Sequence, residues 1–270
     1  MADFDRDDLD RALDQLDLRR GDVLFSHANI GFFGRPDGVR TADELASLLC
    51  DRIFDRIGEE GTLVVPTFTY SFPRREIFDP VHSASHMGAF AEWIRRHPGT
   101  ERSLDPCYSV AALGGRAEEL TENAPENSFG PGSFFDRFMK ADGRIFNLNF
   151  DAGSTFVHYV ERELRVPYRF DKTFEGEIRL GDTTTRRRST IWVRYLSDDA
   201  LEAKFEPLDA LARETGIFRT VTLGRGRMGI MAARDCFDLV TATLQHRPYF
   251  LTKAESLGIV APKIIPEPQQ

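Results

Sequence analysis

The sequence predicts an α/β fold, and three observations carry that reading. Amphipathic helical stretches alternate with short apolar runs of strand length from the N-terminus onward. The apolar runs 62–68 and 145–150 are near-continuous, as expected of strands buried on both faces of a sheet. Glycine-punctuated loops also stand between a strand and the helix that follows, most plainly at 27–38 and 150–155.

In chain order, residues 6–18 place Leu9, Leu13 and Leu16 on one helical stripe, closed by Arg19-Arg-Gly21. A strand over 23–26 delivers the loop 27–38. Thr41-Ala-Asp-Glu44 has the spacing of a capping box and opens a helix that runs to Gly58. A buried strand over 62–68 ends near Pro66. After an irregular, proline-bearing stretch over 72–85, Met87, Phe90, Ala91 and Ile94 form the stripe of another helix, and a strand of small residues reaches Gly114. Ser133 and Asp136 spell a second capping box at the start of a helix through Phe138. Residues 145–150 read as a strand, Gly153 as its turn, and Ser154 or Thr155 as the cap of the next helix. Residues 190–195 read as a strand after the basic run 186–188. Asp235 is expected to cap the terminal helix, and residues 262–270 to form a frayed tail.

Composition narrows the function classes. With 270 residues the chain is expected to form a single domain over 1–270, with its first 20 residues as an N-terminal helix. A formal charge of −8 and a pI near 5.4 argue against a nucleic-acid partner. No run has membrane length and the first residues are acidic, so a cytoplasmic protein without membrane contact is expected. Three cysteines without CxxC spacing argue against a zinc cage, and His27, His82 and His86 with Asp79 match no zinc spacing, so no metal is expected. Gly224-Arg-Gly-Arg-Met-Gly229 has the dinucleotide pattern GxGxxG, but a strand follows it where that fingerprint needs a helix, so it reads as a hairpin turn.

Chemistry concentrates in residues 144–161. His158 and Glu161 stand three apart on one helical face, where a carboxylate can fix the tautomer and orientation of an imidazole. Such a pair is half of a general-base arrangement. An ordinary helix contact is the bland alternative.

Several separated segments then resemble one family, the aminoglycoside 3-N-acetyltransferases. They are Glu60-Gly-Thr-Leu-Val-Val-Pro-Thr-Phe-Thr69, Met87-Gly-Ala-Phe-Ala-Glu92, Arg102-Ser-Leu with Ser109-Val-Ala-Ala-Leu-Gly114, Phe129-Gly-Pro-Gly-Ser133, Thr155-Phe-Val-His-Tyr-Val-Glu161, and Ala233-Arg-Asp with Phe237-Asp238. The resemblance implies an α/β/α layered fold with a mixed central sheet, distinct from the GNAT fold. It also implies acetyl-CoA or another acyl-CoA as co-substrate and a small-molecule amine on an amino sugar as acceptor, with antibiotic resistance as a family role. A homodimer stays open. By that likeness His158 is the general base, with Glu161 as its orienter. Independently of the likeness, the backbone at Ser154–Thr155 and the Thr155 or Thr67 hydroxyl are the candidate oxyanion donors, and Asp151 would hold or help deprotonate a cationic amine. The expected acyl-CoA residues are His27, Asn29, Gly31, Thr67, Ser109, Val110, Gly130, Gly132 and Ser133. Asp105, Tyr108 and Asp151 are the expected acceptor residues, and here the chain departs from the family. It reads Asp105-Pro-Cys-Tyr-Ser109 where His-Pro-Thr-His-Ser is common, and Phe150-Asp-Ala-Gly-Ser-Thr-Phe156 where Gly-His-Asp-Ser-Asn-Thr-Ser is common. Two rivals are an acyl-enzyme route through Cys107 and a non-catalytic relative that only binds its ligand. The arginine run 186–188 could meet a CoA phosphate, although solvated strand charge explains it as well.

Overall fold

The computed structural model describes residues 2–265. The first half runs α1 (Arg6–Gln15), β1 (Val23–Phe25), α2 (Ala42–Ile57), β2 (Thr62–Pro66), α3 (Ala89–Arg96), β3 (Glu101–Arg102), β4 (Val110–Gly114), α4 (Ala117–Thr121) and α5 (Phe134–Lys140). The second half runs β5 (Arg144–Leu148), α6 (Phe156–Glu163), β6 (Arg169–Leu180), β7 (Thr183–Arg194), α7 (Glu206–Glu214), β8 (Arg219–Leu223), β9 (Gly226–Ala232), α8 (Ala233–His246) and α9 (Lys253–Leu257). Among the described residues, seven strands form one mixed sheet in the order β3-β4-β2-β1-β5-β9-β8, and β6 pairs with β7 as a separate ribbon.

Strand residues alternate between two cores, as the twofold period of a strand requires. Val23, Phe25, Val64, Ile145 and Met231 face one core, which α5, α6 and α8 cover with Phe138, Phe156, Val157 and Val240. Leu24, Leu63, Val65, Phe146 and Ile230 face the other, covered by Leu9 and Leu13 of α1, Leu49 and Ile53 of α2, and Phe90 of α3. The result is the α/β/α layering that the family resemblance implies. Only β2, β1 and β5 run parallel, and they sit at the centre. Each flanking pairing is antiparallel.

Thr41 and Ser133 cap their helices as expected, while the acidic residues differ from expectation at three places. Thr41 accepts the Glu44 N–H at 3.1 Å, but the Glu44 carboxylate takes the Arg40 N–H at 2.7 Å and not that of its own cap residue. Asp136 likewise reaches Gly132, at 2.7 Å. Asp235 lies inside the first turn of α8, whose cap is Ala232. GxGxxG forms the turn of the β8–β9 hairpin, as its context suggests. The strand expected at 190–195 begins seven residues earlier, as half of a twelve-residue ribbon. Its outer half is almost wholly exposed threonine and arginine, so no apolar stripe announces it. The tail expected to fray is docked as far as Ile265: Lys263 N–H donates to Asp198 at 3.0 Å and Ile265 N–H to Ser197 at 3.1 Å. Residues 266–270 of that expected tail lie outside the described residues.

Candidate active site

In an open sheet, ligands collect outside the C-terminal ends of parallel strands at the point where strand order reverses. Here that point lies between β1, which leads through α2 to β2 on one side, and β5 on the other. The loops leaving β1 and β5 are sewn together there. His27 O accepts the Leu148 N–H at 2.9 Å, and Asn29 N–H donates to Leu148 O at 2.8 Å. The wholly buried Asn147 amide accepts the His27 N–H at 3.2 Å and donates to Asp151 O at 2.7 Å and Gly153 O at 3.1 Å. One side chain thus sets both loops. The site begins at their junction.

Phe156 and Val157 bury the inner face of α6, which aims His158 and Glu161 along its next turn. His158 Nδ1 lies 2.5 Å from Glu161 Oε2. Glu161 is fully buried and has two further partners: the Tyr168 hydroxyl donates to Oε1 at 2.7 Å, and Arg169 Nε lies 2.9 Å from Oε2. Burial alone would raise the Glu161 carboxyl, but Arg169, His158 and Tyr168 outweigh it and hold it below the ordinary carboxylate range. His158 is pushed below the usual imidazole value, first by burial and then by Arg169, so the ring is neutral at pH 7. Its side chain keeps 15 % of its exposure, and Nε2 makes no hydrogen bond among the described residues. That nitrogen is free to take a proton from outside. The ring itself is held between Phe129, edge-on at 6.1 Å, and Phe205 at 5.8 Å.

Beside this pair, His27 Nε2 lies 3.0 Å from Thr155 Oγ1 and 3.4 Å from the Thr155 backbone nitrogen. Burial lowers His27 to about 4, with the nearby His158 adding to the shift, so it is uncharged at neutral pH. Thr155 therefore does not cap α6 with its side chain; Ser154 Oγ accepts the Phe156 N–H at 3.3 Å instead. Phe150 stacks on His27 at 5.5 Å and leaves 42 % of itself exposed, an open aromatic face at the rim. Asp151 is half-buried and accepts the Gly153 N–H at 2.8 Å. Burial raises its carboxyl, opposed by that bond and reinforced by Asp209 and Glu206. A side chain at Gly153 would put its Cβ 2.6 Å from Asp151 Oδ1 and 3.2 Å from Phe205 Cβ, so the loop needs glycine there for space.

The other expected residues are placed as follows. Asn29 and Gly31 lie on the loop after β1, and both are exposed. Thr67, Ser109 and Val110 are fully buried. The hydroxyls of Thr67 and Ser109 are spent on each other's carbonyls at 3.0 and 2.7 Å, and both take the guanidinium of Arg102. Arg102 is itself lowered to about 10 by burial and satisfied by Pro80 O and Ser83 O. Ser133 caps α5, Gly132 holds φ +77°, and Gly130 packs on Asn127. Asp105, expected at the acceptor, is buried with its carboxylate folded onto the N–H groups of Cys107 and Tyr108, both at 2.8 Å. Tyr108 is buried in a ring cluster with Phe68, Tyr70 and Phe129. Through Phe129 it stands one ring removed from His158.

Cys107 is buried and its thiol is pushed far above the ordinary range by burial and by Asp105, which removes the thiolate that an acyl-enzyme route needs. Arg186 and Arg188 lie exposed on β7 beside Glu175 and Glu126, at 3.5 and 3.7 Å. Among the described residues no group of three or more His, Cys, Asp or Glu converges on a metal position, and no helix is long and apolar enough to cross a membrane. Sequence reasoning missed Asn147, Tyr168, Arg169 and Phe205. Tyr168 and Arg169 follow Val166-Pro167, which reads only as the end of a helix.

The fold is three-layered α/β, and a carboxylate-oriented imidazole stands beside its switch point, the usual place for an enzyme's site in such a sheet. Residues 38–245 match the family model for aminoglycoside 3-N-acetyltransferase. Aminoglycoside N(3)-acetyltransferase VII of Streptomyces paromomycinus is 27% identical over 273 residues, spanning 88% of this chain and 91% of that protein. The solved structure of AAC-IIIb in binary complex with CoASH superposes with a TM-score of 0.76 at 23% identity, covering 90% of this chain and 97% of that one. AAC-VIa bound to sisomicin superposes at 0.75 with 22% identity, covering 90% and 98%. The chain belongs to the aminoglycoside 3-N-acetyltransferase family, and so to the acyltransferases.

Proposed function

We propose that the protein transfers an acetyl or related acyl group from acyl-CoA directly to an amine of an amino-sugar acceptor, with His158 as general base. The carrying observation is the imidazole itself: Nδ1 is locked on a buried carboxylate, Nε2 is free, and the ring is neutral at pH 7. An amine attacks a thioester only as the free base, so His158 Nε2 takes its proton as the new C–N bond forms. The same proton then leaves on the departing CoA thiolate as the C–S bond breaks. Glu161 stabilises the imidazolium between the two steps. The Thr155 hydroxyl, held toward the loop by His27, is the candidate donor to the oxyanion, a role worth about 3 kcal/mol when well aimed. The Phe156 N–H at the start of α6 is less suited, because Ser154 Oγ accepts it.

Asp151 supports recognition of a cationic amine, since half-burial strengthens its attraction for an ammonium group. The open face of Phe150 offers a stacking surface for a sugar ring. The loop after β1, with Asn29 and Gly31, is the candidate support for the acyl-CoA phosphates. Binding of CoASH by AAC-IIIb and of sisomicin by AAC-VIa lends weight to both ligand classes. The changed loop 150–156, with the half-buried Asp151 in it, favours an amino sugar other than the common clinical aminoglycosides. In the direct test, His158→Ala should lower kcat by roughly 10²-fold or more while acyl-CoA affinity stays near wild type. A folded His158→Ala protein with wild-type turnover would overturn the proposal.

A further inference from the structure

A base that works at neutral pH needs its proton affinity set by something fixed. Around His158 the fixed charges are few. Glu161 faces it from its own helix, Arg169 from the start of β6, and His27 from the end of β1. His27 is uncharged, its value lowered to about 4 by burial. The Phe129 and Phe205 rings bring no charge. Tyr168 and Tyr108 lie near Arg169, and burial raises both phenols well above their ordinary range, so they are neutral as well. Tyr249 packs 5.8 Å behind Tyr168.

Glu161 is wholly buried and both of its oxygens are engaged. Oε1 has the Tyr168 hydroxyl at 2.7 Å, and Oε2 is shared by His158 Nδ1 at 2.5 Å and Arg169 Nε at 2.9 Å. The Arg169 Nε–H is close to Oε2 yet is not aimed for a hydrogen bond, so the contact acts through charge more than through direction. Its Nη1 is anchored on Trp192 O at 3.4 Å, across the ribbon. A guanidinium sharing one carboxylate oxygen with an imidazole competes with the imidazolium for that oxygen.

We propose that Tyr168 and Arg169 are positioning residues: together they lock the Glu161 carboxylate on the Nδ1 side of His158, and the Arg169 charge sets how tightly the imidazole holds a proton. The inference rests on the reading of His158 as the base, and its test is independent of that reading. The depressed titration of His158, caused by burial and then by Arg169, agrees with it.

The experiment is an NMR titration of the His158 ring proton, assigned by its loss in His158→Ala, in the wild type, Arg169→Met, Arg169→Lys and Tyr168→Phe. The acid limb of kcat/KM is measured on the same proteins. Arg169→Met should raise the His158 midpoint by about one pH unit, a tenfold gain in proton affinity. Arg169→Lys keeps the charge and should stay within about 0.3 unit of wild type. Tyr168→Phe keeps every charge but strips a donor from Glu161, so its midpoint should rise by a smaller amount. An unmoved midpoint in folded Arg169→Met overturns the proposal. If Arg169→Met does not fold, Tyr168→Phe decides in the same sense, an upward shift supporting the proposal and an unmoved midpoint overturning it. A midpoint that moves while the acid limb stays fixed supports the positioning role and defeats His158 as the base. A midpoint that stays fixed while His158→Ala abolishes turnover does the reverse.

Discussion

Glu161→Gln tests the buried pair most severely. By sequence alone the exchange is mild, because glutamine keeps an acceptor for the imidazole. The surroundings make it severe. The amide can turn its oxygen toward His158 and its nitrogen toward the Tyr168 hydroxyl, which can switch to accepting, so the shape survives. The charge does not survive. Arg169, 7 % exposed at its side chain, would be left inside the protein without a counter-ion. Removing one partner of a buried ion pair costs about 3–5 kcal/mol. At about 2 cal/mol/K of unfolding entropy per residue, a chain of 270 residues should then melt about 5–9 °C lower. The rate should fall as well, roughly 10- to 100-fold, since an imidazolium forming beside a neutral amide loses a charge-assisted bond. Calorimetry and steady-state kinetics on one preparation read both effects. A variant melting within about 2 °C of wild type would refute the ion-pair argument, because that gap is worth only about 1 kcal/mol here.

Three further outcomes are expected. His27 is neutral in the fold down to about pH 4, whereas in the unfolded chain it takes a proton near 6.5, so stability should be full above 6.5 and fall by about 3 kcal/mol as the pH drops to 4. Denaturant melts at the two ends of that range, compared with a flatter His27→Gln, give the measurement. Asp151→Asn should raise the acceptor KM by roughly tenfold, the loss of one charge-assisted bond, with acyl-CoA affinity unchanged in calorimetry. In Gly153→Ala the new Cβ crowds Asp151 and Phe205, so about 1–3 kcal/mol of overpacking should appear as a lower melting point and lower kcat together.

The layers of the fold were legible because buried parallel strands and striped helices leave strong periodic signals, as at 62–66 and 42–57. The β6–β7 ribbon was not, since its outer half buries little and its pairing is set by backbone bonds that any residue can make. Within the site, the spacing of His158 and Glu161 predicts their contact, because three residues on a helix is a short-range relation. The reach of Arg169 and Tyr168 back to Glu161 crosses a helix end and a chain reversal, and no local pattern encodes it. The buried roles of Thr67, Ser109 and Asp105 were equally hidden. Each hydroxyl or carboxylate could serve a ligand or its own backbone, and only the fold decides which.

The ribbon has a practical consequence for anyone wishing to watch this protein at work. Its base carries Arg169 into the core, and Phe78 pins it farther out through backbone bonds to Glu177 and Arg179. Gly176 lies flat against the Phe72 ring, with no room there for a larger residue. Beyond Arg179 the turn around Gly181 and Asp182 is solvent-exposed, and every side chain from Leu180 to Arg188 is exposed with it. A dye, a peptide tag or a surface tether inserted between residues 181 and 182 would therefore ride on a stiff two-stranded arm fixed to the protein at a known point. It would report the orientation of the whole molecule without disturbing the imidazole at the other end.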